Sequence, residues 1–215
     1  MLNRLLVGAT VAGLLSAHAA VPLQVGPVLL AVDAAGSRVV ISVGKSGVLS
    51  FAGHAHEIVG RSIGGRVTLD PANWERTSMR LELDASAFRV SSAGEPPADV
   101  PEVQRVMLSE RVLDVTRFPK IVFQSRRVSR ASAPGDVLIE GDVTLHGTTR
   151  PTAIRATVSL GPNGHVTARG SFTLRQSDFG MVPVTAAGGT IRVKDELAIQ
   201  FVIEASPLND ASTPR

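Results

Sequence analysis

The sequence predicts an all-β domain: an antiparallel closed barrel of about eight strands, lipocalin-like, with one short helix. Three observations carry that expectation. Apolar residues recur at period two along most of the 215 residues, as half-buried antiparallel strands require. Clusters of Gly, Pro, Asn and Asp punctuate these runs at hairpin spacing. Only Val103, Val106, Met107 and Leu113 recur at helical spacing, ending before Pro119. Sheets with one apolar face must close or pair to hide it. Many hairpins with a single helix favour closure over the rival two-sheet sandwich.

The elements follow in order. Val39, Ile41 and Val43 share a face, and after Gly47 so do Leu49 and Phe51. Ile63, Val67 and Leu69 alternate with Ser62, Arg66 and Thr68 before a turn at Asp70-Pro71-Ala72-Asn73. Met79, Leu81 and Leu83 oppose Arg80, Glu82 and Asp84. Ala85 to Glu102, rich in Ser, Pro and Gly, reads as a loop. Ile121 and Phe123 lead into Gln124 and a basic group, Arg126-Arg127 with Arg130, read as a solvated turn. Val137, Ile139, Val143 and Leu145 precede a break at Gly147 and Pro151. Ile154, Ala156, Val158 and Leu160 then pair with Val166, Ala168, Phe172 and Leu174 across Gly161-Pro162-Asn163-Gly164. Leu197, Ile199, Phe201 and Ile203 close the series.

Such a barrel either fills with side chains or holds one small ligand. Its expected lining is aliphatic: Val39, Ile41, Ile63, Leu81 and Val143, with Phe51, Phe123, Phe172 and Phe201 as the only large rings. An interior of this kind selects by length and width. Each buried methylene contributes about 0.8 kcal/mol in transfer terms, less the cost of ordering a flexible tail.

Residues 1–19 have the parts of a secretory signal peptide: Arg4, an apolar run from Leu5 to Leu15, then Ala17-His18-Ala19. The run is shorter than the ~20 residues that span a bilayer, so no stable membrane span is expected after cleavage. The expected location is periplasmic or secreted. The chain has no Cys, which excludes both disulfides and a lipoprotein acylation site. A net charge of +3, basic residues scattered singly apart from Arg126-Arg127 with Arg130, and 4% aromatics argue against nucleic acid. The tail, 206–215, is expected to be disordered.

Catalytic signatures are near misses. His56-Glu57-Ile58-Val59-Gly60 starts like a zincin helix but has Gly60 where the second His belongs. Gly44-Lys45-Ser46 lacks the first Gly of a phosphate loop, and Asp178-Phe179-Gly180 stands without the rest of a kinase. His54 and His56 are different: two residues apart on a strand, their imidazoles share a side. They read as a polar pair at the barrel mouth or a contact for a ligand headgroup. A metal site completed by Glu57, His146 or Asp178 is the third reading.

Gly141 to His146 with Gly147-Thr148-Thr149-Arg150-Pro151, followed by Gly170-Ser171-Phe172-Thr173-Leu174-Arg175-Gln176-Ser177-Asp178-Phe179-Gly180-Met181, resembles the YceI-like, polyisoprenoid-binding family. The resemblance extends from about Val32 to Ala205. It includes Ser50 to Glu57 as a first hairpin and Leu113 to Phe123 as a helix returning through an aromatic-Pro turn. Val103-Gln104-Arg105-Val106-Met107 stands where an Arg-Asp-x-His-Leu pattern is usual, so no ligand role is carried onto that segment.

The resemblance implies an exported lipid-binding protein, not an enzyme and without a cofactor. It would hold an isoprenoid-type amphiphile, a polyprenol or isoprenoid quinone, with His54 and His56 at its head. The alternatives are a metal-dependent enzyme on those histidines or a structural envelope protein with a filled core. An exposed edge strand would permit a homodimer.

Overall fold

The structure, a computed structural model, describes residues 26–46, 56–93, 96–186 and 191–208. The expected leader at 1–19, Phe51, His54 and residues 209–215 lie outside the described residues.

Twelve strands form one antiparallel sheet that closes on itself. They are β1 (Val28–Val32), β2 (Arg38–Ser46), β3 (His56–Gly60), β4 (Ile63–Leu69), β5 (Ser78–Asp84), β6 (Arg89–Val90), β7 (Lys120–Arg130), β8 (Asp136–Leu145), β9 (Thr148–Leu160), β10 (Val166–Arg175), β11 (Thr185–Ala186) and β12 (Ile191–Pro207). Among the described residues a single α-helix, α1 (Val100–Leu108), lies between β6 and β7.

The closed circuit has eight staves. Three are broken strands: β1 runs on into β2, β3 into β4 and β5 into β6. Each half of a broken stave pairs with the matching half of the next. β7, β8, β9, β10 and β12 complete the wall, and β12 closes it by pairing with both β1 and β2. The sequence foresaw this closed barrel and its helix. Among the described residues, the two-residue β6 and β11 each pair with a single strand.

Local chemistry explains the breaks. Between β1 and β2, the Asp33 carboxylate accepts from Ala35 N–H at 2.9 Å, and Ser37 N–H donates to the Asp33 carbonyl. The fully buried Ser37 hydroxyl accepts from Glu204 N–H at 3.0 Å, fixing that turn to β12. β8 and β9 join through a two-residue turn, His146-Gly147, with φ 50° and 73°. Both residues being left-handed matches the twist of a tight hairpin.

Several sequence expectations need correction. β1 begins at Val28, before the predicted opening at Val32; its apolar run Val28-Leu29-Leu30-Ala31-Val32 has no alternation to mark it. Ala85 to Glu102 is not all loop, since β6 and the first turn of α1 fall within it. Arg126, Arg127 and Arg130 lie on β7, not in a solvated turn. A register shift between Ser125 and Arg127 is the reason both arginines reach acids. Arg126 meets Asp142 at 2.6 Å, and Arg127 meets Glu75 at 2.9 Å. The last strand also continues to Pro207, which pairs with Leu30.

Candidate ligand cavity

The strands turn one apolar face inward, and that face does not fill the barrel. It surrounds a cavity of about 790 Å³, within the range of small-molecule sites.

Val39, Ile41, Ile63, Leu81, Phe123, Val143, Phe172 and Phe201 all line it, each placed inward by the period of two. Two of the rings lie flat against the wall. A Cβ on Gly141 would stand 2.7 Å from the Phe123 ring, and one on Gly170 would stand 2.7 Å from Phe201. Small residues beneath the rings let them sit outside the central space. The Phe172 and Phe201 centroids are 6.3 Å apart and tilted.

The ends differ. At the lower end Leu30, Leu69, Val166 and Ala205 are buried together, with Trp74 packed against them. Trp74 sits on a one-turn 3-10 helix whose first N–H groups are capped by Asn73; the Asn73 side chain accepts from Glu75 N–H. Trp74 and the buried Phe88 are large rings in the lining beyond the four phenylalanines expected. Alternation did not reveal them, because neither is carried on a long strand.

At the upper end α1 covers the opening. Val103, Val106 and Met107 line the cavity, so this segment contributes to the site even without the usual family pattern. Gln104 clips the helix to β6: its Nε2 donates to the Phe88 carbonyl at 2.9 Å, and its Oε1 accepts from Val90 N–H at 2.8 Å. Pro101 fits the first turn, where a missing N–H costs nothing. Below α1, Phe88, Val90 and Met107 form a small core with Ile58, Leu83 and Leu113 against it.

Polar lining is confined to a few groups. Lys45, His56, Asp99 and Glu102 stand at the upper rim, where β2 ends and β3 and α1 begin. Arg105 meets Glu102 at 2.6 Å, and its hydrogen bond holds that carboxyl below the usual range. Deeper, Thr77 and Gln176 are committed to the protein. Thr77 Oγ1 accepts from Asp70 N–H, and Gln176 Nε2 donates to the Lys194 carbonyl at 2.8 Å.

His56 thus stands at the rim, while His54 lies outside the described residues. Among the described residues no three His, Asp or Glu side chains gather into a group able to hold a metal ion. His146, in the β8–β9 turn, does not line this cavity. None of those residues forms a helix long and apolar enough to cross a membrane.

Comparison with known proteins gives a consistent picture. The model of the YceI-like domain matches residues 30–205. Relatives named UPF0312 protein from Pseudomonas savastanoi and two pathovars of Pseudomonas syringae are 30% identical over 122 residues, 54% of this chain. The aligned stretch spans 59% of those relatives' length. Burkholderia cenocepacia BcnA superposes with a TM-score of 0.64 at 19% identity, over 81% of this chain and 99% of BcnA. A polyisoprenoid binding domain from Saccharophagus degradans, implicated in plant cell wall breakdown, gives 0.60 at 10% identity, over 84% and 99%. A Campylobacter jejuni YceI protein gives 0.55 at 14%, over 70% and 84%.

Proposed function

Because the chain belongs to the YceI-like family, we propose that it is an exported, non-catalytic carrier of an isoprenoid-type lipid. The polyprenol or isoprenoid quinone lies with its tail in the lumen and its head toward the upper end. One observation carries this reading: the barrel encloses about 790 Å³ whose wall is almost wholly aliphatic and aromatic.

The physics follows from the lining. A branched hydrocarbon gains from every methylene it buries, and no lining group offers a convergent acid, base and nucleophile. Thr77 Oγ1 and Gln176 Nε2, the deeper polar groups, already have partners in the protein. The leader at 1–19 supports export to the periplasm or beyond.

The test is native mass spectrometry of the protein from its own host, followed by extraction and lipid identification. A bound species with isoprenoid fragmentation is expected. Leu81→Trp, which places an indole in the lumen, should lower uptake of added polyprenol at least tenfold while the melting temperature holds. Protein that carries no lipid and accepts neither quinone nor polyprenol would overturn the proposal.

A further inference from the structure

A second space adjoins the first. A crevice of about 350 Å³ lies against the upper part of the cavity, and Val112, Met181 and Val184 line both. Its other walls include Glu110, Arg111 and His146, so a tail in the lumen could end in polar surroundings here.

His146 is held firmly. Its backbone is left-handed within the tight β8–β9 turn, and its ring centroid lies 4.7 Å from that of Phe118. Nδ1 is 3.3 Å from the Phe179 carbonyl oxygen. A carbonyl oxygen only accepts, so Nδ1 carries the hydrogen. In the neutral ring Nε2 then holds the lone pair, and His146 is part of the crevice wall. The partner is fixed too. Phe179 is 2% exposed, and its turn is anchored by Asp195, which accepts from Ser177 N–H at 2.8 Å and from its hydroxyl at 2.6 Å.

We propose that this crevice is the headgroup subsite and that it selects a head bearing a hydroxyl, a polyprenol or a quinol, whose O–H donates to His146 Nε2. Glu110 and Arg111, which also line it, have opposite charges, so with His146 neutral the lining residues carry no net charge to draw a phosphate. The inference rests on the carrier reading and adds to it the chemistry of the head.

The experiment loads the delipidated full chain with a long-chain polyprenol, its methyl ether or squalene, and reads occupancy by native mass spectrometry. The ether keeps the size and loses only the donated hydrogen. Wild type should prefer the alcohol about tenfold, the effect of one hydrogen bond. His146→Phe, which keeps a ring against Phe118, should lose the preference and take up both equally. Equal uptake by wild type, or a preference that survives in the variant, would overturn the subsite. If His146→Phe does not fold, the wild-type pair alone decides. Failure of all three lipids to load, squalene included, would instead sink the carrier reading and this inference with it.

Discussion

The two ends of the barrel solve different problems with the same strands. The lower end is sealed by side chains alone: Leu30 at 1% exposure packs with Leu69, Val166 and Ala205 under Trp74. The upper end is covered by a separate piece, α1, held to β6 through Gln104 and bordered by Lys45, His56, Asp99 and Glu102. A plug made of the wall itself can open only by breaking the barrel. A cover held by two hydrogen bonds and a small apolar core can move while the wall stays intact. On the carrier reading, this contrast predicts stability concentrated below and ligand exchange above.

The largest effect should come from the plug. Leu30→Ala leaves a cavity in a packed cluster and should cost about 3 kcal/mol in urea denaturation. The lipid preference of the folded fraction should stay unchanged. A comparable loss of selectivity would blur the distinction between the ends.

Midway along the wall, Gly170→Ala forces a Cβ onto the Phe201 ring and the Arg155 carbonyl. Overpacking of this kind costs about 2 kcal/mol and should tip the ring into the lumen. Reduced polyprenol capacity in native mass spectra checks the second effect.

At the cover, Gln104→Ala removes both bonds between α1 and β6 and should cost about 1 kcal/mol. Hydrogen exchange should quicken in residues 100–108 and at Val90, with β8 and β9 unaffected. Faster lipid exchange without lower occupancy would sharpen the contrast; uniform loosening of the barrel would contradict it.

The smallest effect concerns acid. The Ser177 hydroxyl and N–H bonds lower the Asp195 carboxyl below its ordinary 3.8. A depressed carboxyl stabilises the fold above that ordinary value, and the contribution fades as pH falls through the lowered one. Asp195→Asn should therefore lower stability slightly at neutral pH, where the contribution is present, and flatten the profile below pH ~4. A slope the same as wild type would show that this bond does not anchor the turn at Phe179.

How far the sequence could be read depended on where each residue's partner lies. Val158 and Leu160 against Ala168 and Val166 were legible because a hairpin pairs neighbours and side chains alternate. The same rule put Val39, Ile41, Leu81 and Phe201 in the lining. It could not find Trp74 and Phe88, which enter from short turns. Nor could it find Val103 and Met107 as lining, because helical periodicity gives one apolar face without saying what it covers. Arg126 and Arg127 misled as a turn because a bulge lets adjacent side chains both reach acids, which period two forbids.

By itself, then, the sequence determined the all-β class, the antiparallel hairpins and the apolar character of the interior. These depend on local periodicity and turn chemistry, which adjacent residues encode. Tertiary structure alone decided that Pro207 meets Leu30 to close the wall, that the core stays open over about 790 Å³, and that His146 stands beside Met181 in a crevice at the cavity's edge. Closure and volume are properties of the whole circuit of strands, and no stretch of chain short enough to show a pattern contains them.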